Sequence, residues 1–181
     1  MRIIAGKHKG RNLLSPTGPG IRPTSSKTRA AMFNVLSSRG LIEDTVVLDL
    51  CCGTGALGLE ALSRGAAKTV FIDGSAPHLK LAWENICQFK EEENSTLIRA
   101  KAEYLPKAKE KCDLIFIDPP YSKGVANKAL TSLINGEWLS DNAMIVIELA
   151  KQEDLIFSET HYQEIITKVH GNSKFILLEK I

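Results

Sequence analysis

Residues 47–58 read Val-Leu-Asp-Leu-Cys-Cys-Gly-Thr-Gly-Ala-Leu-Gly, and this stretch decides the fold class. A short apolar run ends in a glycine-rich loop, and a helical pattern begins directly after it. Gly53, Gly55 and Gly58 have the G-x-G-x-x-G spacing of nucleotide-binding loops, and Asp73 ends the next apolar run. The stretch therefore predicts a strand, a cofactor-binding loop and a helix within a doubly wound sheet.

The rest of the chain alternates between short apolar runs and helical patterns, which is typical of an α/β protein with a mostly parallel sheet. A different pattern near the end, two runs around Gly171-Asn172, predicts an antiparallel hairpin. Strands are predicted at residues 46–50, 69–73, 96–100, 114–117, 144–149, 162–170 and 175–180. Helices are predicted at residues 26–38, 56–64, 76–89, 102–109 and 125–135. A small hairpin with a basic tip is predicted at residues 1–14.

The glycine loop alone fits both NAD and S-adenosylmethionine, and Asp49 favours the second. Asp49 stands just before the loop, where a dinucleotide would place its pyrophosphate. Two like charges about 4 Å apart near a protein surface repel by ~1–4 kcal/mol. The same carboxylate would attract the ammonium group of a methionyl moiety. S-adenosylmethionine is therefore the expected cofactor.

A second chemical element, Asp118-Pro119-Pro120-Tyr121, follows a predicted strand. The prolines stiffen the backbone and have no N–H, so their neighbouring carbonyls are free to accept hydrogen bonds. A carboxylate, a carbonyl and an aromatic ring together suit a planar group that bears an exocyclic amine. We expect these four residues to hold the substrate and to form the catalytic site.

Composition and charge narrow the class of protein. The chain has 181 residues, of which 44% are apolar and 24% charged, as in a globular protein. No apolar run reaches membrane-spanning length, so no membrane association is expected. Residues 1–42 contain eight Arg or Lys and no Asp or Glu, which predicts a nucleic acid partner; a solvated basic loop is the alternative. The four cysteines lack metal-ligand spacing, which predicts reduced thiols, a cytoplasmic location and no metal site.

These motifs carry a family resemblance. The Asp49 loop and the Asp118 tetrapeptide resemble the S-adenosylmethionine-dependent amino-methyltransferases with a Rossmann-like fold. The N-terminal part is more specific and resembles the RsmD family, which methylates the N2 amino group of a guanine in small-subunit (16S) ribosomal RNA. The matching N-terminal segments are Arg2-Ile-Ile-Ala-Gly-Lys, Lys9-Gly-Arg11, Arg22-Pro-Thr24, Arg29 and Phe33-Asn34.

The resemblance implies a role for each matching residue. The tetrapeptide would hold the target guanine, and ribosomal RNA or an assembling 30S particle would be the partner. The cofactor would be bound by Asp49, Cys51, Gly53, Thr54, Gly55, Asp73, Gly74 and Ala102. RNA would be bound by Arg2, Lys7, Lys9, Arg11, Arg22, Thr24 and Arg29. The resemblance also divides the chain into a basic hairpin and linker, residues 1–24, and a methyltransferase domain, residues 25–181.

One departure from the family pattern concerns adenine. Relatives often place an Asp-Ala pair after the third strand, and the Asp accepts the adenine amino group; here the pair is Lys101-Ala102. The adenine-binding residue, the target nucleotide and the oligomeric state stay open. Two other functions also stay open: a methyltransferase acting on DNA adenine or a protein amide, and a non-catalytic RNA-binding module.

Overall fold

A computed structural model describes residues 1–15, 26–120 and 124–181. Seven strands form one sheet in the order β3-β2-β1-β4-β5-β7-β6. The strands are β1 Val46–Leu50, β2 Lys68–Asp73, β3 Ser95–Arg99, β4 Cys112–Ile117, β5 Leu139–Ala150, β6 Tyr162–His170 and β7 Ser173–Lys180. The helices are α1 Ser26–Ser38, α2 Ala56–Ser63, α3 Ala76–Phe89 and α4 Val125–Asn135, and a 3₁₀ turn spans Glu92–Asn94. None of the described helices is long and apolar enough to cross a membrane.

The sheet has the topology that the sequence predicts. Strands β1 to β5 are parallel, and β7 pairs antiparallel with both β5 and β6. The strand order reverses between β1 and β4, so the loops that follow these two strands diverge and leave a crevice. Ligands of open α/β sheets bind at such a switch point, outside the carboxyl ends of the strands. This edge carries the Gly53 loop and Asp118.

Helices cover both faces of the sheet because neighbouring residues of each central strand point to opposite sides. Val47 and Leu114 pack with α1, α2 and α3 in one core cluster. Leu48 and Ile115 pack with α4 in a second cluster on the other face. Continuous apolar runs in these strands follow from burial on both sides, as expected for parallel strands.

The predicted helix at residues 102–109 is wrong, since this segment is an irregular connection. Pro106 has no N–H and disfavours a helix interior. Tertiary contacts satisfy the backbone instead: the Leu105 N–H donates to the Ser132 hydroxyl at 2.8 Å, and the Pro106 carbonyl accepts from the Trp138 indole at 2.8 Å. The segment thus lies on the α4 side of the sheet without covering it as a helix would.

Strand β5 is longer than predicted and begins at Leu139. Its pairing with β4 shifts register between Cys112 and Leu114, and Asn142 has a left-handed φ of 60°. An irregularity of this kind inserts residues that do not pair. The polar residues at the start of β5 therefore resemble a turn in sequence although they belong to the strand.

The N-terminal residues form the expected hairpin, and this hairpin packs against the helical layer. Arg2 and Asn12 form an antiparallel bridge. The side chains of Ile3 and Leu13 are buried in the core cluster of α1, α2 and α3. The backbone N–H of Lys7 donates to the carbonyl of Ser63, the last residue of α2, at 2.8 Å. The predicted boundary between residues 24 and 25 lies outside the described residues.

Replacing Gly6 by Ala is expected to destabilise the protein more than replacing Gly10 by Ala. Both glycines have a left-handed φ, 81° and 83°, so each substitution carries a similar cost of ~1–2 kcal/mol. A Cβ on Gly6 would lie 1.7 Å from the Ser63 carbonyl oxygen, whereas one on Gly10 meets nothing within 4 Å. Overpacking adds ~1–3 kcal/mol. Urea unfolding measures the difference, and equal losses for the two variants would contradict the docked hairpin.

Candidate active site

The glycine loop between β1 and α2 is the floor of the site. Gly53 and Gly55 have left-handed φ values of 53° and 77°, which glycine adopts without steric cost. A Cβ on Gly58 would lie 2.4 Å from the ring of Phe71, so this third glycine lets α2 pack closely on β2. A Cβ on Gly53 meets nothing within 4 Å, which leaves open space above the loop for a ligand.

Asp49 is a buried carboxyl group beneath this loop, 1% exposed. Its Oδ2 accepts a hydrogen bond from the Gly58 N–H at 2.8 Å. Burial raises the pKa of Asp49 to about 8, against the effect of the Gly58 hydrogen bond, and the charges of Asp118 and Asp73 raise it further. A bound cation would therefore stabilise the ionised form of Asp49, which burial disfavours.

Asp73, at the end of β2, links two loops of the site. Its carboxylate accepts the N–H of Gly53 at 3.0 Å and the N–H of Ser75 at 2.8 Å. The ring of His78 lies 3.3 Å from both carboxylate oxygens. Asp73 therefore holds the glycine loop next to the start of α3 while its carboxylate stays at the carboxyl edge of the sheet.

Gly74, directly after Asp73, lies against the loop that follows β3. A Cβ on Gly74 would lie 3.4 Å from Cγ of Lys101, so the loops after β2 and β3 are in contact. Ala102 is buried and Lys101 is exposed. Lys101, the position at which the family resemblance implies an adenine-binding Asp, therefore lies beside Gly74, and its side chain is a cation.

Cys51 lies among the acidic groups of the site. Its φ of 65° is left-handed. Burial raises the pKa of its thiol far above the usual range, and the charges of Asp73, Asp118 and Asp49 add to this effect. A thiol held protonated is a poor nucleophile. Glu103 acts in the same direction, so Cys51 lies within reach of the acidic residues of the site.

Asp118 and the two prolines follow β4 directly. The Asp118 N–H donates to the Leu50 carbonyl at 3.4 Å, which holds the tetrapeptide next to the end of β1. Asp118 is half-buried, Pro119 is buried and Pro120 is exposed. Tyr121 lies outside the described residues. The fold thus brings the first three residues of the tetrapeptide to the edge that carries Asp49 and Asp73.

The chain is similar to known proteins over almost its whole length. The family model described as Conserved hypothetical protein 95 matches residues 1–179. Ribosomal RNA small subunit methyltransferase D of Escherichia coli (strain K12) is 32% identical over 181 residues, which covers 99% of this chain and 90% of that protein. The chain belongs to the RsmD family. The relative of the same name in Buchnera aphidicola (subsp. Acyrthosiphon pisum) is 34% identical and covers 91% of this chain and 87% of its own length.

Solved structures agree with this assignment. The yhhF protein of Escherichia coli superposes with a TM-score of 0.85 at 30% identity, covering 99% of this chain and 97% of that one. A Haemophilus influenzae methylase gives a TM-score of 0.81 at 28% identity, covering 99% and 98%. The fold and the family are therefore those that the sequence motifs predict.

The N-terminal residues that resemble the RsmD family have mixed surroundings. Lys9 and Arg2 are exposed. Lys7 forms an ion pair with buried Glu91 at 2.7 Å, and the Arg11 guanidinium lies 4.4 Å from the centre of the Phe89 ring. Lys7 and Arg11 thus help to dock the hairpin on α3. Arg22 and Thr24 lie outside the described residues.

Arg29, which was predicted to bind RNA, occupies an interior position. Its side chain is 1% exposed and donates to the Arg2 carbonyl at 2.5 Å. Burial lowers the pKa of Arg29, with Glu60 acting to raise it and Arg64 to lower it. The reason is the docked hairpin, which covers α1 and turns Arg29 into a support for the backbone at Arg2.

Sequence reasoning missed two residues that join the hairpin to the site. The Glu60 carboxylate accepts the N–H groups of Ile4 and Ala5 at 2.8 and 3.1 Å. The fully buried Asn85 side chain accepts the Leu14 N–H at 2.7 Å and donates to the Thr54 carbonyl at 2.9 Å. A lone acid within the apolar helix α2 was a usable signal for Glu60. Nothing local marks Asn85.

Residues 1–15, 26–120 and 124–181 contain no group of three or more His, Cys, Asp or Glu side chains placed to hold a metal ion.

Proposed function

We propose that this protein transfers a methyl group from S-adenosylmethionine to the N2 amino group of a guanine in small-subunit ribosomal RNA. The observation that carries this proposal is the convergence of Asp49, Asp73 and Asp118 on one crevice at the switch point of the sheet. The names of the RsmD-family relatives support ribosomal RNA as the substrate class.

The crevice fits a cationic cofactor better than a dinucleotide. S-adenosylmethionine carries a sulfonium and an ammonium group, and the Asp49 carboxylate would offset the charge of the ammonium group. A pyrophosphate over the Gly53 loop would instead face the Asp49 carboxylate. Asp73 would accept hydrogen bonds from the ribose hydroxyls, and the open space above Gly53 would take the methionyl part. When bound, the cofactor supplies an electrophilic methyl group.

The protein's main contribution to the reaction would be to position the guanine. Asp118 and the Pro119 carbonyl are acceptors for the two N–H bonds of an exocyclic amine. Accepting both would orient the nitrogen lone pair toward the methyl group, and holding reactants in line is a large part of catalysis. Tyr121 would stack on the base after it leaves its helix. Asp118 or water would take the proton released after transfer.

Transfer of a radiolabelled methyl group tests the substrate class directly. Purified protein is incubated with labelled S-adenosylmethionine and, in parallel, with small-subunit RNA particles lacking the modification, duplex DNA and a mixture of cellular proteins. We expect label only in the RNA. Label in DNA or protein would favour the alternative methyltransferases, and no transfer to any of the three would favour a binding module.

Replacing Asp73 by Ala is expected to weaken S-adenosylmethionine binding by ~1–3 kcal/mol, because the ribose hydroxyls lose a charged acceptor. The Gly53 N–H loses its partner as well, so the loop is less well held. Isothermal titration calorimetry measures the change. Asp141→Ala is the matched control, since the Asp141 side chain is exposed at the start of β5, at the end of the sheet away from the crevice. Unchanged affinity in Asp73→Ala would refute the ribose contact.

A further inference from the structure

A groove opens on the face of the sheet where α4 packs. Its volume is about 760 Å³, within the ~300–1,000 Å³ range of ligand sites. One wall is the irregular segment from Glu103 to Pro106, and the other is α4. The groove exists because the segment after β3 is not helical and leaves this part of the face uncovered.

The side chains of the groove suit a nucleic acid strand. Tyr104 is 77% exposed, so its ring is available for stacking. Arg99 and Lys128 are exposed cations, and Thr131 and Asn135 add hydrogen-bonding groups along one side of α4. Glu103 is the acidic group among the lining residues. Cations beside an exposed aromatic ring are the usual means of binding single-stranded nucleic acid.

The groove begins at the same edge of the sheet as the active site. Arg99 is the register partner of Asp73 on the neighbouring strand. Lys128 lies in the first turn of α4, the helix that follows the tetrapeptide containing Asp118. The two cations thus both line the groove, Arg99 at the carboxyl end of β3 and Lys128 on α4. A strand that leaves the crevice on this side would pass between them.

From this placement, we propose that the groove binds the RNA strand next to the target nucleotide, with Tyr104 stacking on a base and Arg99 and Lys128 contacting phosphates. The inference rests on the proposed function, since it extends the same RNA beyond the guanine pocket. It also places a cationic RNA contact on the sheet domain, apart from the N-terminal hairpin.

Variants of the groove test this proposal by RNA affinity, measured by fluorescence anisotropy with unmodified small-subunit RNA, and by steady-state methyl transfer. Tyr104→Ala is expected to weaken RNA binding and raise the KM for RNA about tenfold. Its kcat and its affinity for S-adenosylmethionine should stay at wild-type values. Tyr104→Phe should behave as wild type, because the ring and not the hydroxyl makes the contact.

The charges are tested by salt dependence. Arg99→Ala and Lys128→Ala should each lower the slope of log affinity against log salt by about one unit. Lys168→Ala is the matched control, because Lys168 is exposed on β6, at the opposite edge of the sheet from β3. The salt dependence of RNA binding by this variant should equal that of the wild-type protein.

The outcomes separate the two proposals. The groove proposal alone would be overturned if the wild-type protein methylates RNA and two variants bind RNA as it does. These are Tyr104→Ala with wild-type affinity and Lys128→Ala with the wild-type salt dependence. If the groove variants weaken RNA binding but the wild-type protein transfers no methyl group, the proposed function would be overturned. The groove would then remain an RNA-binding site.

Discussion

Replacing Asp118 by Ala is expected to slow methyl transfer at least ~100-fold, equivalent to about 2.7 kcal/mol of transition-state stabilisation. The carboxylate follows β4 at the crevice, where it would accept an N–H of the target amine as its nitrogen attacks. Removing this carboxylate should hardly change the affinity for S-adenosylmethionine, because the main cofactor contacts are expected on the loops after β1 and β2. Single-turnover transfer at saturating cofactor measures the rate, and calorimetry measures the affinity.

The control for this prediction is Asp141→Ala. The side chain of Asp141 is 92% exposed at the start of β5, the end of the sheet away from the crevice. This variant should transfer methyl groups at the wild-type rate. An Asp118→Ala enzyme that is as active as Asp141→Ala would refute the role of the tetrapeptide, and a large loss of cofactor affinity would move Asp118 into the cofactor site.

Asp49→Asn is expected to weaken S-adenosylmethionine binding by ~1–4 kcal/mol, the interaction of two charges about 4 Å apart near a protein surface. Asn has the same shape as Asp, and its oxygen can still accept the Gly58 N–H, which Asp49 accepts at 2.8 Å. The variant therefore removes the charge and keeps the loop. Burial raises the pKa of Asp49 to about 8, so the charge is largely present only at or above this pH. Calorimetry of both proteins at about pH 8 therefore measures the difference in cofactor affinity.

The pH dependence of the same group has a defined sign. Ionisation of Asp49, whose pKa burial raises to about 8, should favour the cationic cofactor as the pH rises. The cofactor's own ammonium group titrates in the same range, so the contribution of Asp49 is the difference between the wild-type protein and Asp49→Asn at each pH. The free energy of unfolding should move the other way. Burial raises the pKa of Asp49 from 3.8, so stability present at low pH is lost as the pH rises through about 8.

Asp49→Asn should remove both pH effects, because an amide does not titrate in this range. Cofactor affinity in the variant that still rises steeply toward pH 8 would assign the titration to another group. Equal affinity of the variant and the wild-type protein at high pH would show that the Asp49 charge does not contribute to binding.

Local patterns were sufficient for most of the fold. Helices α1, α3 and α4 begin and end where the sequence predicts, because apolar periodicity and flanking Ser, Gly or Asn residues mark their ends. The segment 102–109 has the composition of a helix, but contacts of Leu105 and Pro106 with residues near α4 determine its path. Those partners are about thirty residues away in sequence, and local propensity contains no information about them.

The same difference between local patterns and contacts distant in sequence applies to the candidate site. The positions of Asp49, Asp73 and Asp118 were predictable because parallel strands bring their carboxyl ends to one edge. The interior position of Arg29 was not, because it depends on where the hairpin docks. That docking rests on contacts such as the Ile4 N–H to Glu60, which joins residues 56 positions apart.

The identity of the methylated nucleoside tests the central claim most directly. Small-subunit particles that lack the modification are treated with the protein and isotopically labelled S-adenosylmethionine, and the digested nucleosides are separated and identified by mass spectrometry. The account predicts labelled guanosine methylated on its exocyclic N2 amine. Labelled methyladenosine, or guanosine methylated on a ring nitrogen, would contradict it.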